Sequence, residues 1–168
     1  MEHYKSWKYL KRQLEERLCE DLRGRITYFL TRYHTVHDSY GRAAIRLDGK
    51  ELAVFTWNNG YLLEYAEHDL WEIDAPKEEY QKLNREFAEN GVLSEWDFLS
   101  AATEFLQMPI ADALRSEDWL VRIFAVMDGR VGKRTLQKLA ESEVYKSYPE
   151  WVQQFYELRL LNDRRQNG

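Results

Sequence analysis

Two histidines and an aspartate stand close together in the first quarter of the chain, as His34, His37 and Asp38. Imidazole nitrogens and a carboxylate can bind a transition metal, and an aspartate can orient a histidine as a general base. However, the segment reads as a loop, so helical spacing does not bring the three side chains together. No Cys or Glu cluster completes a metal site. We therefore favour a role in the turn for these residues, with an acid–base pair as the alternative, and predict neither a metal nor a cofactor.

Arginines and aromatic residues around the predicted strands form a second candidate site. Aromatic rings interleaved with arginines suit a single-stranded nucleic acid or an acidic protein partner. The alternative is that Phe55 and Trp57 belong to the core, because a chain of this length can cover both faces of a small sheet. No RNP, KH or zinc-finger pattern is present. The set comprises Arg25, Arg32, Tyr33, Arg42, Arg46, Phe55 and Trp57.

A third segment, GRVGKRT from Gly129, is only weakly similar to a phosphate-binding loop. Its spacing fails, because Met127 stands where the first glycine of the motif belongs and Arg134 follows Lys133 in place of Ser or Thr. We predict a basic joint between two helices there.

The elements that must position these residues begin with a hairpin. Asp48-Gly49 is a strong two-residue turn signal between alternating segments, and Leu47 and Lys50 flank it. This register predicts an aliphatic face that pairs Ile45 with Leu52 and Ala43 with Val54. It predicts an opposite face that pairs Arg46 with Glu51, Ala44 with Ala53 and Arg42 with Phe55. Arg25 to His34 would supply a third strand, which gives an antiparallel meander covered by the first helix.

Helical periodicity accounts for much of the remaining chain. The overall prediction is an α+β fold in one domain, residues 1–168: an N-terminal helix, a three-stranded antiparallel β-meander at about 25–57, and a cluster of about five helices at about 61–162. Predicted helices run from Ser6 to about Leu22, from Lys77 to Glu89, from a capping box at Ser94 and Asp97 to near Pro109, from a cap at Ser116 through Met127, over Lys133–Glu141, and from Pro149 to Leu161.

Composition narrows the class of protein. A single cysteine, Cys19, indicates a reducing compartment, and the sequence shows neither a signal peptide nor an apolar run of membrane-spanning length, so we expect a cytoplasmic location. Charge is segregated: residues 58–118 carry 4 Lys+Arg and 15 Asp+Glu, a balance of −11, whereas both flanking segments are net positive. The acidic middle either complements the basic ends or faces a basic partner.

Two groups of short motifs resemble the pattern of a family of uncharacterised small bacterial proteins. The resemblance is clearest over residues 6–57 and 110–160 and implies a bacterial cytosolic origin, with no activity, ligand or catalytic residue attached. The first group comprises Trp7, Leu18-Cys19, Gly24-Arg25-Ile26, Thr31-Arg32-Tyr33, His37-Asp38, Gly41-Arg42-Ala43 and Asp48-Gly49-Lys50. The second comprises Arg130-Val131-Gly132-Lys133-Arg134, Trp151-Val152 and Phe155-Tyr156-Glu157-Leu158-Arg159.

Three functions follow as hypotheses. The first is a non-catalytic cytosolic binding module with a protein partner, because no catalytic constellation is complete. The second is nucleic-acid binding through the Arg/aromatic sheet face, and the third is a small-molecule enzyme using His34, His37 and Asp38. The candidate binding residues are Arg32, His34, His37, Asp38, Arg42, Arg46, Phe55 and Trp57. We expect no membrane partner, and the sequence leaves the oligomeric state open.

Overall fold

The computed structural model of the protein describes residues 6–32, 41–56 and 85–166. The first element is helix α1 (Trp7–Glu16), which is capped by Ser6, whose side chain accepts a hydrogen bond from the Tyr9 N–H. The predicted extension of this helix to Leu22 is wrong. Residues 17–25 form turns, yet Leu18 and Leu22 are buried there, so their helix-like spacing reflects core packing alone.

Three antiparallel strands follow in the order β1-β2-β3: β1 (Ile26–Arg32), β2 (Gly41–Leu47) and β3 (Lys50–Thr56). The β2–β3 turn places Asp48 at φ 51° and Gly49 at φ 85°, as a two-residue turn of the Asn-Gly or Asp-Gly kind requires. The predicted meander and its turn are confirmed.

The predicted register holds beside the turn and fails beyond it. Leu47 pairs with Lys50 and Arg46 with Glu51, but an irregularity between Ile45 and Arg46 shifts the rest of β3 by one residue. Ile45 therefore faces Ala53 in place of Leu52. The predicted pairs Ala43–Val54, Ala44–Ala53 and Arg42–Phe55 are wrong for the same reason: the observed partners are Phe55, Val54 and Thr56. One extra residue in a bulged strand turns every later side chain to the other face.

Helices form the rest of the described chain, in keeping with the α+β prediction. They are α2 (Glu95–Gln107), α3 (Ile110–Leu114), α4 (Trp119–Met127), α5 (Lys133–Ala140), a 3₁₀ turn (Val144–Ser147) and α6 (Glu150–Gln166). The Ser94–Asp97 capping box is confirmed, and Gly91, at φ 75°, ends a helical stretch over residues 85–89. Asp118, and not Ser116, caps α4. Trp96 of α2 is 44% exposed. No helix in the described ranges has the length and apolar character needed to cross a bilayer.

Phe98 of α2 joins the sheet to the helices. Its ring lies 5.6 Å from Phe55, 5.5 Å from Phe124 and 5.7 Å from Trp7, measured between centroids, and it is fully buried. Aromatic pairs at these separations add about 0.5–1.5 kcal/mol each to the burial of their surface. Tyr28 of β1 completes the cluster, so the inner face of the sheet is sealed by aromatic packing.

Arg159 of α6 ties the turn after α4 into the fold. Its guanidinium is buried and donates to the backbone carbonyls of Val126, Asp128 and Val131. A cation at the C-terminus of α4 also suits the helix dipole. The same turn meets the segment after α1, where the Cys19 N–H donates to the Met127 carbonyl and the Gly129 N–H donates to the Arg17 carbonyl.

Candidate binding surface

The face of the sheet that points away from Phe98 is the surface on which the predicted arginines meet; we call it the outer sheet face. Strand pairing puts Arg42 and Arg46, four residues apart on β2, on this same face. The remaining members follow from the pairing. They are Thr27, Phe29, Thr31, Ala44, Glu51, Val54 and Thr56.

Arg46 lies over the ring of Phe29, with its guanidinium carbon 4.1 Å from the ring centroid. Both residues are half-buried. Stacking on an aromatic ring leaves the N–H donors at the edge of the guanidinium directed outward and fixes the plane of the group. Among the described residues, no carboxylate forms an ion pair with Arg46.

The other cations near this face are already paired. Arg42 forms an ion pair with Glu51 on β3. At the hairpin end of the sheet, Arg25 donates to both carboxylate oxygens of Asp48, at 3.1 and 2.8 Å. That hydrogen bond lowers the pKa of Asp48 and raises the pKa of Arg25. Of these three arginines, Arg46 is therefore the one without an ion pair among the described residues.

Phe55 is not part of the binding surface, which corrects the sequence-based prediction. It is 1% exposed and stacks on Phe98 with an angle of 22° between the ring planes. The one-residue shift in β3 turns it inward, so the interpretation of Phe55 as core is the right one. Arg32 ends β1, and nothing is described of its side chain. His34, His37, Asp38 and Trp57 lie outside the described residues.

The end of the sheet where β1 stops and β2 begins holds a buried carboxylate. Glu95, the first residue of α2, is 2% exposed, and its Oε1 accepts a hydrogen bond of 3.0 Å from the Gly41 N–H. The Thr56 hydroxyl donates to the Gly41 carbonyl at 2.8 Å. A Cβ atom on Gly41 would lie 2.6 Å from the Thr31 carbonyl oxygen, so only glycine fits. These contacts fix the residue at which the 33–40 connection rejoins the sheet.

The basic segment after α4 is a helix–turn–helix joint, as predicted. Arg130 pairs with Asp128, and Lys133 pairs with Asp21 at 3.1 Å. Across the described part of the chain, no group of three or more His, Cys, Asp or Glu side chains is placed to hold a metal ion.

Phe29 is the residue of the outer sheet face that sequence reasoning left out of the candidate set. Alternation along β1 places it on the face opposite Ile26 and Tyr28, and that alternation is the signal that the sequence offers. What was missing was the β1–β2 register, which pairs Phe29 with Ala44 and so places it diagonally opposite Arg46.

A family model matches residues 6–160 and so spans all of the surfaces described above. The chain belongs to the SF0329 protein family. This agrees with the resemblance noted in the two motif groups, and the family's description names no activity. No curated protein and no solved structure is significantly similar to the chain. Function must therefore be argued from the geometry of its own side chains.

Proposed function

We propose that this SF0329 family member is a non-catalytic binding module of the bacterial cytoplasm, and that its outer sheet face binds a carboxylate of an acidic protein partner. The observation that carries the proposal is the Arg46 guanidinium, which lies over the ring of Phe29 and forms no ion pair among the described residues, since the carboxylate opposite it on β3, Glu51, pairs with Arg42. A guanidinium in fixed orientation can engage a carboxylate through two parallel N–H···O bonds.

Pre-organisation favours such a contact. Both partners of the stack are half-buried, so the Arg46 side chain has already lost much of the rotamer freedom that binding would otherwise remove. Hydrogen bonds to charged groups contribute about 1.5–3 kcal/mol each. A single oriented arginine can therefore decide affinity when the surrounding surface is complementary in shape.

Charge on the same face argues for a protein over a nucleic acid. Nucleic-acid binding depends on several unpaired cations that neutralise phosphates. Here Glu51 already neutralises Arg42, which leaves one unpaired cation among the described residues of the face.

The test is affinity capture from native bacterial lysate with three full-length proteins: the wild type, Arg46→Gln and Arg134→Gln. Arg134 is exposed on α5 and is not part of the sheet. R134Q therefore removes one positive charge without changing the outer sheet face. We expect a partner that the wild type and R134Q retain equally and that R46Q retains at least about tenfold less, since 1.4 kcal/mol is tenfold in affinity.

Two results would contradict the proposal. One is that no specific macromolecule is recovered, and the other is that R46Q retains the same partner as the wild type. Gel shifts with single- and double-stranded RNA and DNA at low salt test the competing assignment. Binding that depends on Arg46 and falls steeply with added salt would show that the outer sheet face binds nucleic acid instead of a protein.

A further inference from the structure

A groove of about 270 Å³ lies on the helical side of the molecule, between the 85–93 stretch, α2 and the start of α4. Ala88 and Leu93, both half-buried, contribute apolar surface to its lining, and Trp119 lines it as well. Trp119 is fixed from outside the groove, because its Nε1–H donates to Glu89 at 3.1 Å and its ring packs edge-on against Tyr148 at 5.1 Å. The groove is thus preformed around a rigid aromatic ring.

Three carboxylates stand on the rim of this groove: Asp97, Glu117 and Asp118. One oxygen of Asp97 caps α2 and one oxygen of Asp118 caps α4, so each of these groups keeps its second oxygen unbonded among the described residues. Glu117 is exposed, and no described cation pairs with it. Arg85, the one basic residue among the described residues that line the groove, can offset a single charge of the three.

The negative charge of the rim is concentrated enough to help shift the pKa of one of the rim carboxylates. Desolvation raises the pKa of Asp118, and the negative charges of Glu104 and Asp97 add to the rise, although two backbone N–H groups oppose it. A cation placed between the carboxylates would relieve this repulsion. Among the described residues, the groove therefore combines an apolar lining, an aromatic ring and a net negative rim.

We propose that this acidic groove binds an arginine side chain presented by a basic segment of a protein partner. The aliphatic part of an arginine would lie along Ala88 and Leu93 while its guanidinium meets the rim. A planar guanidinium packs well beside an indole ring, and the guanidinium carbon of Arg122 already lies 4.9 Å from the centroid of Trp119, so the bound arginine would take the part of the ring that lines the groove. The inference is independent of the outer sheet face, which carries the opposite charge.

The experiment is a two-dimensional ¹⁵N NMR titration of the full-length protein with the peptide acetyl-Ala-Arg-Ala-Arg-Ala-amide. The readout is the indole N–H of Trp119, assigned by its loss in Trp119→Phe. We expect a saturable shift that weakens with added salt. The same peptide with citrulline in place of arginine, which keeps the shape and loses the charge, should give no saturable shift.

Two variants address the groove without touching its helix caps. Glu117→Gln should weaken binding about two- to fivefold, as the loss of one exposed ion pair does. Ser100→Arg, at an exposed position that lines the groove, places a cation there in advance and should weaken binding at least about tenfold. Glu20→Gln and Ala111→Arg make the same chemical changes at exposed positions that do not line the groove, and should bind like the wild type.

Several outcomes would overturn the proposal: no shift up to roughly 10 mM peptide, which would put the affinity below the useful range; equal shifts with the citrulline peptide; or unchanged binding by Ser100→Arg. If CaCl₂ moves the indole signal and the arginine peptide does not, the groove is a cation site of another kind and the proposal is wrong. None of these outcomes depends on Arg46, so they are separable from failure of the proposed sheet surface.

Discussion

Replacing Arg159 with methionine tests how much of the stability depends on one buried guanidinium. The group is 4% exposed and donates to three backbone carbonyls, those of Val126, Asp128 and Val131. Methionine fills much of the same space and removes the Arg159 donor from all three carbonyls, of which, among the described residues, only that of Asp128 keeps another bond, from the Val131 N–H at 3.1 Å. Each lost charge-assisted hydrogen bond costs about 1.5–3 kcal/mol of stability. Part of this loss is offset, because the variant no longer has to bury a charged group.

We therefore expect Arg159→Met to lower the free energy of unfolding by about 3–4 kcal/mol, a large share of the 5–15 kcal/mol typical of a whole domain. For a chain of this size the melting temperature should fall by roughly 6–16 °C. Arg159→Lys keeps the charge but cannot span three carbonyls with one ammonium, so it should lose about half as much. Arg134→Met, at an exposed site on α5, is the matched control and should change stability by less than about 0.5 kcal/mol.

Urea unfolding at pH 7, followed by tryptophan fluorescence and far-ultraviolet circular dichroism, gives the free energies and tests that both probes report one transition. The reasoning is refuted if Arg159→Met is as stable as the wild type with an unchanged m-value. That result would mean that the cost of burying the guanidinium, including its unpartnered Nε, equals the worth of its three hydrogen bonds.

Three further substitutions probe the core, the sheet end and the cap of α4. Phe98→Ala should lower the free energy of unfolding by about 3–5 kcal/mol, because it empties the centre of the aromatic cluster. Val144→Ala, at a 64% exposed site, is the control and should cost little. Equal losses in the two variants would contradict this reasoning. Gly41→Ala should cost about 1–3 kcal/mol through its clash with a backbone oxygen, and Gly132→Ala, where an added Cβ meets nothing within 4 Å, should be near neutral in the same thermal melts. The pKa of Asp118 is raised in the folded state, so this carboxyl ionises less readily there than in the unfolded chain. The free energy of unfolding should therefore fall as the pH rises through the raised pKa, and it should be regained on acidification. Asp118→Asn keeps a good helix cap and should remove this pH dependence, whereas Asp118→Ala should lose about 1 kcal/mol at pH 7; a pH profile unchanged in D118N would count against the assignment.

The fold was predictable where a local signal coincided with a physical requirement. Asp48-Gly49 supplies the positive φ angles of the turn, so the hairpin and its nearest pairs were correct. The bulge was not predictable, because Leu52, Ala53, Val54 and Phe55 are all apolar. Four apolar residues in a row satisfy either register equally well, so alternation cannot report a one-residue shift. Tertiary packing against Phe98 decides between the two registers.

The helix boundaries failed for a related reason. Leu14, Leu18 and Leu22 repeat every four residues, and all three are buried, yet the helix ends at Glu16. Leucines that are buried in a series of turns can have the same spacing as leucines that are buried along a helix. The spacing alone therefore could not locate the end of α1.

The candidate surface was predictable only in part. Arg42 and Arg46 were assigned correctly to one face, since residues four apart on a strand share a face in any register. The stack of Arg46 on Phe29 depends on the pairing of two strands joined by residues 33–40, which no local pattern reports. The acidic groove joins residues near 93, 97 and 118 through helix packing, and the sequence showed it only as a net negative segment.

The bonds between the turn after α4 and the segment after α1 have a consequence for synthesis on the ribosome. Leu18 pairs with Asp128, 110 residues later, and Arg159 then secures the same turn from the last helix. At roughly 5–20 residues per second, the segment after α1 emerges on the order of 10 s before residue 128 exists. The backbone groups of that segment lack these hydrogen-bond partners for that interval, which gives holding chaperones time to bind this protein near its amino terminus.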